Sequence, residues 1–158
     1  MIIDQQATIA APIERVWDFL MDVPAVSKCV PNVEKFEQSG ENVYDGVVGV
    51  KVGPISVHLD GRITVTEQDR DTWTAGMIGE ATDKRIRGAV KTKATMTLVA
   101  REDGKTDMLV HADAAILGKL GQFGQAVMRK KADQVLGEFV QNMSKAMAER
   151  EAAGSAAG

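Results

Sequence analysis

This chain predicts an α+β fold, a curved seven-stranded antiparallel sheet wrapped around one long C-terminal helix, and three observations carry that reading. From Val33 onward the apolar pattern keeps a period of two for most of the chain, with turn signals at residues 39–42, 53–54, 69–71 and 102–104. Between residues 118 and 150 the spacing changes to three and four. Leu120, Phe123, Val127, Val135, Leu136, Phe139, Val140 and Met143 then share one helical stripe that needs a surface to lie on. Ahead of the first hairpin stand one strand and two short helical patterns. A sheet with one apolar face and a single helix long enough to cover it pack as two layers.

Taken in order, residues 1–10 read as a strand of mixed polarity, which Pro12 ends by fitting the first turn of a helix. Ile13, Val16, Trp17 and Leu20 follow at i, i+3, i+4 and i+7, one face of an amphipathic helix. Pro24 begins a second, shorter helix, and Pro31 biases Val30 out of the helical region, so this helix ends by Cys29. Residues 55–67 show the clearest strand, with Ile55, Val57, Leu59, Gly61, Ile63 and Val65 alternating with polar neighbours. The same parity turns Trp73, Ala75, Met77 and Gly79 inward on one strand, Ala94, Met96 and Leu98 on another, and Ala112, Ala114 and Ile116 on the last. Residues 1–150 form one domain, and 151–158 a flexible Ala/Gly/Ser tail.

Gly118, Gly121 and Gly124 stand three apart at the start of the long helix, where each costs about 1 kcal/mol relative to alanine. Two compensations are open: close packing of the helix start on a strand, or room left for a ligand.

Composition narrows the function. The 158 residues carry a net charge of −3, and the pI is near 5.4; a nucleic-acid binder would show a basic excess. Cys29 is alone, which excludes an internal disulfide and a cysteine zinc site and reads as a small buried hydrophobe. With no signal peptide and no long apolar run, the expected location is cytoplasmic. Aromatics make up only 4%, against eight Met and fifteen Gly, a composition that favours an interior with a cavity over a tightly filled one.

No Ser/His/Asp set, carboxylate pair, phosphate-cradling loop or metal cluster is present, so no catalytic and no metal residue is assigned. His58 reads as a solvated strand histidine, and Tyr44 as a core residue whose hydroxyl reaches the rim. Two non-enzymatic readings lead, and a hydrolase or cyclase ranks last. A carrier would place an apolar ligand among Leu59, Trp73, Met77, Met96, Leu120, Gly121, Phe123, Gly124, Val127 and Met128, recognised by shape and burial. An adaptor would have a packed core and bind a partner or membrane through its surface. Arg85, Arg87, Lys91 and Lys93, which share one parity in a run without acids, are the docking candidates, helped by residues 129–131.

Four segments carry a resemblance: ATIAAPIERVWDFLMD at 7–22, the VPNVEKFE stretch after it, VVGVKVGPISVHLDGRI at 47–63, and ILGKLGQFGQAVMRKKADQVLGEF at 116–139. They are similar to the family of the carbon monoxide dehydrogenase G subunit, within the START-like, helix-grip superfamily (SRPBCC) that also holds polyketide cyclases. The resemblance implies a helix-grip fold and a non-enzymatic protein with no catalytic cofactor. It further implies binding of an isoprenoid quinone or lipid, and partnership with an aerobic carbon monoxide dehydrogenase or related molybdenum hydroxylase whose electrons it links to the membrane quinone pool. The chain departs from relatives in having Pro31-Asn32 where Pro-Gly is frequent, and in ending on a short tail where some relatives carry an amphipathic anchor. The membrane contact expected here is therefore weak and peripheral, at the inner face of the cell membrane.

Overall fold

The computed structural model describes residues 1–157. It contains β1 (Ile2–Ile9), α1 (Ile13–Met21), α2 (Val23–Ser27), β2 (Val33–Gly40), β3 (Val43–Val52), β4 (Ile55–Asp69), β5 (Thr74–Asp83), β6 (Gly88–Ala100), β7 (Thr106–Gly118), a 3-10 helix (Lys119–Phe123) and α3 (Gln125–Ala157). The seven strands form one antiparallel sheet in the order β1-β7-β6-β5-β4-β3-β2. This is the helix-grip arrangement, with the first strand closing the meander by pairing with the last, Ile2 opposite Asp113 through Ile9 opposite Thr106.

Local chemistry explains the connections. Pro12 holds an extended backbone at φ −64° and ψ 152° just before α1, whose face of Ile13, Val16, Trp17 and Phe19 is buried. Asp22 then starts α2 by accepting the backbone N–H of Ala25 at 3.3 Å, with Pro24 in the first turn. Asn42 and Gly53 take left-handed conformations at the β2–β3 and β3–β4 turns.

Several expectations are corrected. Residues 84–87 form a turn between β5 and β6, so Arg85 and Arg87 do not share a strand with Lys91 and Lys93. Its stabiliser is a side chain: Asp83 accepts the backbone N–H groups of Arg85 at 2.9 Å and Ile86 at 3.4 Å. Trp73 likewise precedes β5, at φ 55°, rather than standing on it. The expected single helix from residue 118 is interrupted. Gly118 ends β7 at φ 67°, and Gly124, at φ 83°, separates the 3-10 helix from α3. A Cβ on Gly118 would collide with the carbonyl oxygen of Arg87, so this glycine is required by the turn itself. At its other end α3 continues through residues 151–157, where the sequence predicts a tail; Gly158 lies outside the described residues.

The core divides in two. The larger part joins Ile9, Val16, Trp17, Phe19, Leu98 and Met108 to Met143 and Met147 of α3. A smaller one, at the end where β3 turns into β4, joins Val52 and Val57 to Leu120 of the 3-10 helix. The first half of α3 contributes no fully buried side chain, and Val127 is 44% exposed. The helix is thus sealed to the sheet mainly through its C-terminal half, leaving the concave face of β2–β5 uncovered by it.

Candidate functional site

That uncovered concave face is a cleft of about 340 Å³, with α2 and the residues after it forming one wall through Val23, Val26 and Val30. Its floor is built by register. Gly46 of β3 pairs with Gly61 of β4, Gly61 pairs with Ala81 of β5, and Gly79 of β5 pairs with Ile63. Three glycines and an alanine on adjoining strands leave the floor almost without side chains, and at Gly46 and Gly61 a Cβ would collide with the backbone of the neighbouring strand. Around it stand Val33, Phe36, Val48, Leu59, Ile63, Met77 and Val90. Tyr44 is buried and stacks on Phe36, ring centroids 5.5 Å apart and planes 14° from parallel.

The side chains that face the cleft carry no charge. Lys35, Asp45, Arg62 and Glu80 border it but have the opposite parity, Lys35 pairing with the outward Val47 and lying 3.9 Å from Glu37, which sends their side chains to the outer face of the sheet. There Arg62 donates to both carboxylate oxygens of Asp45, at 2.8 and 3.1 Å, and holds that carboxyl below the usual range. The phenol of Tyr44 and the hydroxyls of Thr92 and Ser27 are the polar side-chain groups on the lining, and Ser27 already donates to the carbonyl of Pro24 at 2.7 Å. Such a surface can shelter an apolar molecule and orient it with one or two hydrogen bonds.

The residues singled out from sequence are dispersed. Leu59 and Met77 line this cleft. Trp73 stands edge-on to Trp17, 5.8 Å between centroids and under the guanidinium of Arg70, and Met96 packs beside them against the larger core. Leu120 is buried against Val52 and Val57, with Phe123 partly buried beside it. Gly121, Gly124 and Met128 border a separate recess of about 300 Å³ between β7 and the start of α3, while Val127 points outward. Met1, whose backbone nitrogen donates to the carbonyl of Ala114 at 2.7 Å, borders that recess as well.

Sequence reasoning missed the cleft's glycine floor and the α2 wall; the signal available was the inward parity of Gly61 and Gly79 with Leu59 and Met77. The two histidines pair with carboxylates on the sheet exterior, His58 Nδ1 with Glu34 at 2.9 Å and His111 with Asp4. Glu34 reaches His58 across β3 because Gly49 lies between them without a side chain. Among the described residues, no three His, Cys, Asp or Glu gather where they could hold a metal ion, and no helix is long and apolar enough to cross a membrane.

Comparisons agree with this architecture. The family model for CoxG, the G subunit of carbon monoxide dehydrogenase, matches residues 6–148. No curated protein matches the chain. Among solved structures, a conserved protein from Geobacillus kaustophilus superposes with a TM-score of 0.85 at 21% identity, over 94% of this chain and 96% of that one. A START superfamily protein from Mycobacterium smegmatis gives 0.66 at 11% identity, over 94% and 97%. The Zhui aromatase/cyclase from Streptomyces gives 0.55 at 20% identity, over 96% and 93%. These three likenesses are of fold, and the fold serves an enzyme in the last of them.

Proposed function

The chain belongs to the CoxG family, that of the carbon monoxide dehydrogenase G subunit, and from that premise we propose that it is a non-enzymatic carrier that holds an isoprenoid quinone or a lipid in the cleft between α2 and β2–β5. In this role it links a molybdenum-hydroxylase-type carbon monoxide dehydrogenase to the membrane quinone pool. The observation that supports the reading best is the cleft itself: glycine-floored, walled by aliphatic side chains, Phe36 and Tyr44, and without an inward charge.

Burial of apolar surface supplies the affinity, about 25 cal/mol for each Å² removed from water. Tyr44 and Thr92 are placed on the lining to donate to a carbonyl or hydroxyl head. Proton transfer would need an acid or base within hydrogen-bond reach of the ligand, and the inward side chains supply only a phenol and hydroxyls. The alternative, an adaptor that docks the dehydrogenase with a solid interior, accounts less well for a volume of this size beside the sheet.

Native mass spectrometry of the purified protein, followed by organic extraction, tests the proposal. A co-purifying quinone or lipid at near-equal stoichiometry is expected, and the empty protein should take up a menaquinone analogue. A protein that purifies empty and binds neither a quinone nor a phospholipid would leave the adaptor reading in its place.

A further inference from the structure

We propose that the end of the molecule built from the β3–β4 turn, the β5–β6 turn and the 3-10 helix is a docking face for an anionic lipid bilayer. Residues 49–57, 84–90 and 117–127 contain Lys51, Lys84, Arg85, Arg87 and Lys119 and not one Asp or Glu, in a chain with 22 acids against 19 bases. The three segments meet in space. Leu120 packs on Val52 and Val57, Gly118 abuts the Arg87 carbonyl, and Arg85 Nη2 donates to the carbonyl of Ser56 at 2.6 Å. All five cations are exposed, and among the described residues none forms an ion pair with a carboxylate. Asp83, the adjoining acid, is buried and already accepts from the backbone N–H groups of His58, Arg85 and Ile86. Lys91 and Lys93 differ: they stand on the outer sheet face opposite Glu80 and Asp113 across the strands, which offsets their charge.

A bilayer fits this end better than an acidic protein because charge and apolar surface are interleaved on it. Ile55, just after the exposed Gly53-Pro54 turn, is 38% exposed and Leu117 is 48% exposed, each beside cations. Lipid headgroups take the charges while the acyl boundary takes the apolar side chains. Behind the face, Val52, Val57 and Leu120 touch Leu59 and Val90, which also line the cleft, so the route from surface to cleft is apolar throughout. That last step rests on the ligand proposal; the docking face does not.

Flotation of the full chain with phosphatidylcholine vesicles, with and without about a third phosphatidylglycerol, tests it. Binding to the anionic vesicles alone is expected, weakening steeply with salt because the Debye length is about 8 Å at physiological ionic strength. The combined variant Lys51→Glu, Lys84→Glu, Arg87→Glu and Lys119→Glu should lose about a hundredfold or more in partitioning, since each such charge contributes about fivefold. An equally charged control, Lys91→Glu, Lys93→Glu, Lys105→Glu and Lys145→Glu, should retain most of it, with both variants checked for folding by circular dichroism. Ile55→Ser should weaken vesicle binding and leave retention on a polyglutamate resin unchanged. Equal losses in the two quadruple variants, or resin retention without vesicle binding, would overturn the bilayer as occupant. A purified protein that carries ligand yet ignores vesicles would do the same and leave the cleft reading intact.

Discussion

Gly88 and Leu120 offer a quantitative handle on how the 3-10 helix is held to the sheet. Leu120 is 2% exposed between Val52 and Val57, so Leu120→Ala removes buried methyl groups and leaves a cavity, at a cost of about 2–5 kcal/mol. A Cβ on Gly88 would lie 2.6 Å from Leu120 Cγ and 2.7 Å from Cδ1, well inside contact. Because Leu120 is enclosed and cannot swing away, Gly88→Ala should cost about 1–3 kcal/mol by overpacking. In the Leu120→Ala background those two atoms are gone and the nearest remaining one, Cβ, is 3.3 Å away. The cost of Gly88→Ala should then fall to about 0.5 kcal/mol or less, a coupling of roughly 1–2 kcal/mol. Equilibrium urea unfolding of the four proteins, with unchanged m-values, measures the cycle. Additivity to within about 0.5 kcal/mol would refute the packing described here.

Other consequences are simpler. Val48→Trp, which places a large ring in the cleft, should weaken binding of a quinone analogue at least tenfold while melting within a few degrees of the parent; unaltered affinity would move the site elsewhere. The backbone N–H of His58, helped by those of Arg85 and Ile86, holds the Asp83 carboxyl below its usual range against the opposing effect of burial. Its stabilising contribution is therefore fully present above the unfolded value of about 3.9 and is lost as pH falls through the lower folded value. Asp83→Asn should be destabilised at pH 7 and converge on the parent in acid, whereas a gap constant down to pH 2 would contradict this. Trp17→Ala, at a site 4% exposed and edge-on to Trp73, should cost about 3–5 kcal/mol, read by thermal or urea unfolding. Burial raises the Cys29 thiol pKa, so labelling by a disulfide reagent should be far slower in the folded protein than in urea.

Most of the fold was legible because strand and helix periods are local. Alternation from Val33 onward finds the meander, and the apolar face of Ile13, Val16 and Trp17 finds α1. The 84–87 turn was not legible, since it lacks Gly, Pro and Asn and depends on where the Asp83 carboxylate reaches. Gly118 and Gly124 looked like helix interior because Leu120, Phe123 and Val127 keep helical spacing across them; their positive φ values belong to the junctions. The cleft was half legible. Parity turns Leu59 and Met77 inward, but its floor needs Gly46, Gly61 and Ala81 to align across three strands, a register fixed by bulges and turns far from those residues. The acid-free end was hidden for the same reason, its three segments being distant in sequence.

Photolabelling with a diazirine-bearing menaquinone analogue, followed by peptide mapping, places the ligand directly. With the cleft as the binding site, label falls on α2 and on the inward positions of β3, β4 and β5, in peptides holding Val26, Tyr44, Val48, Leu59 and Met77. Excess unlabelled quinone removes it, and Val48→Trp diminishes it. Competed label confined to residues 121–128, or label that no competitor displaces, would contradict a ligand held between α2 and the glycine floor of the sheet.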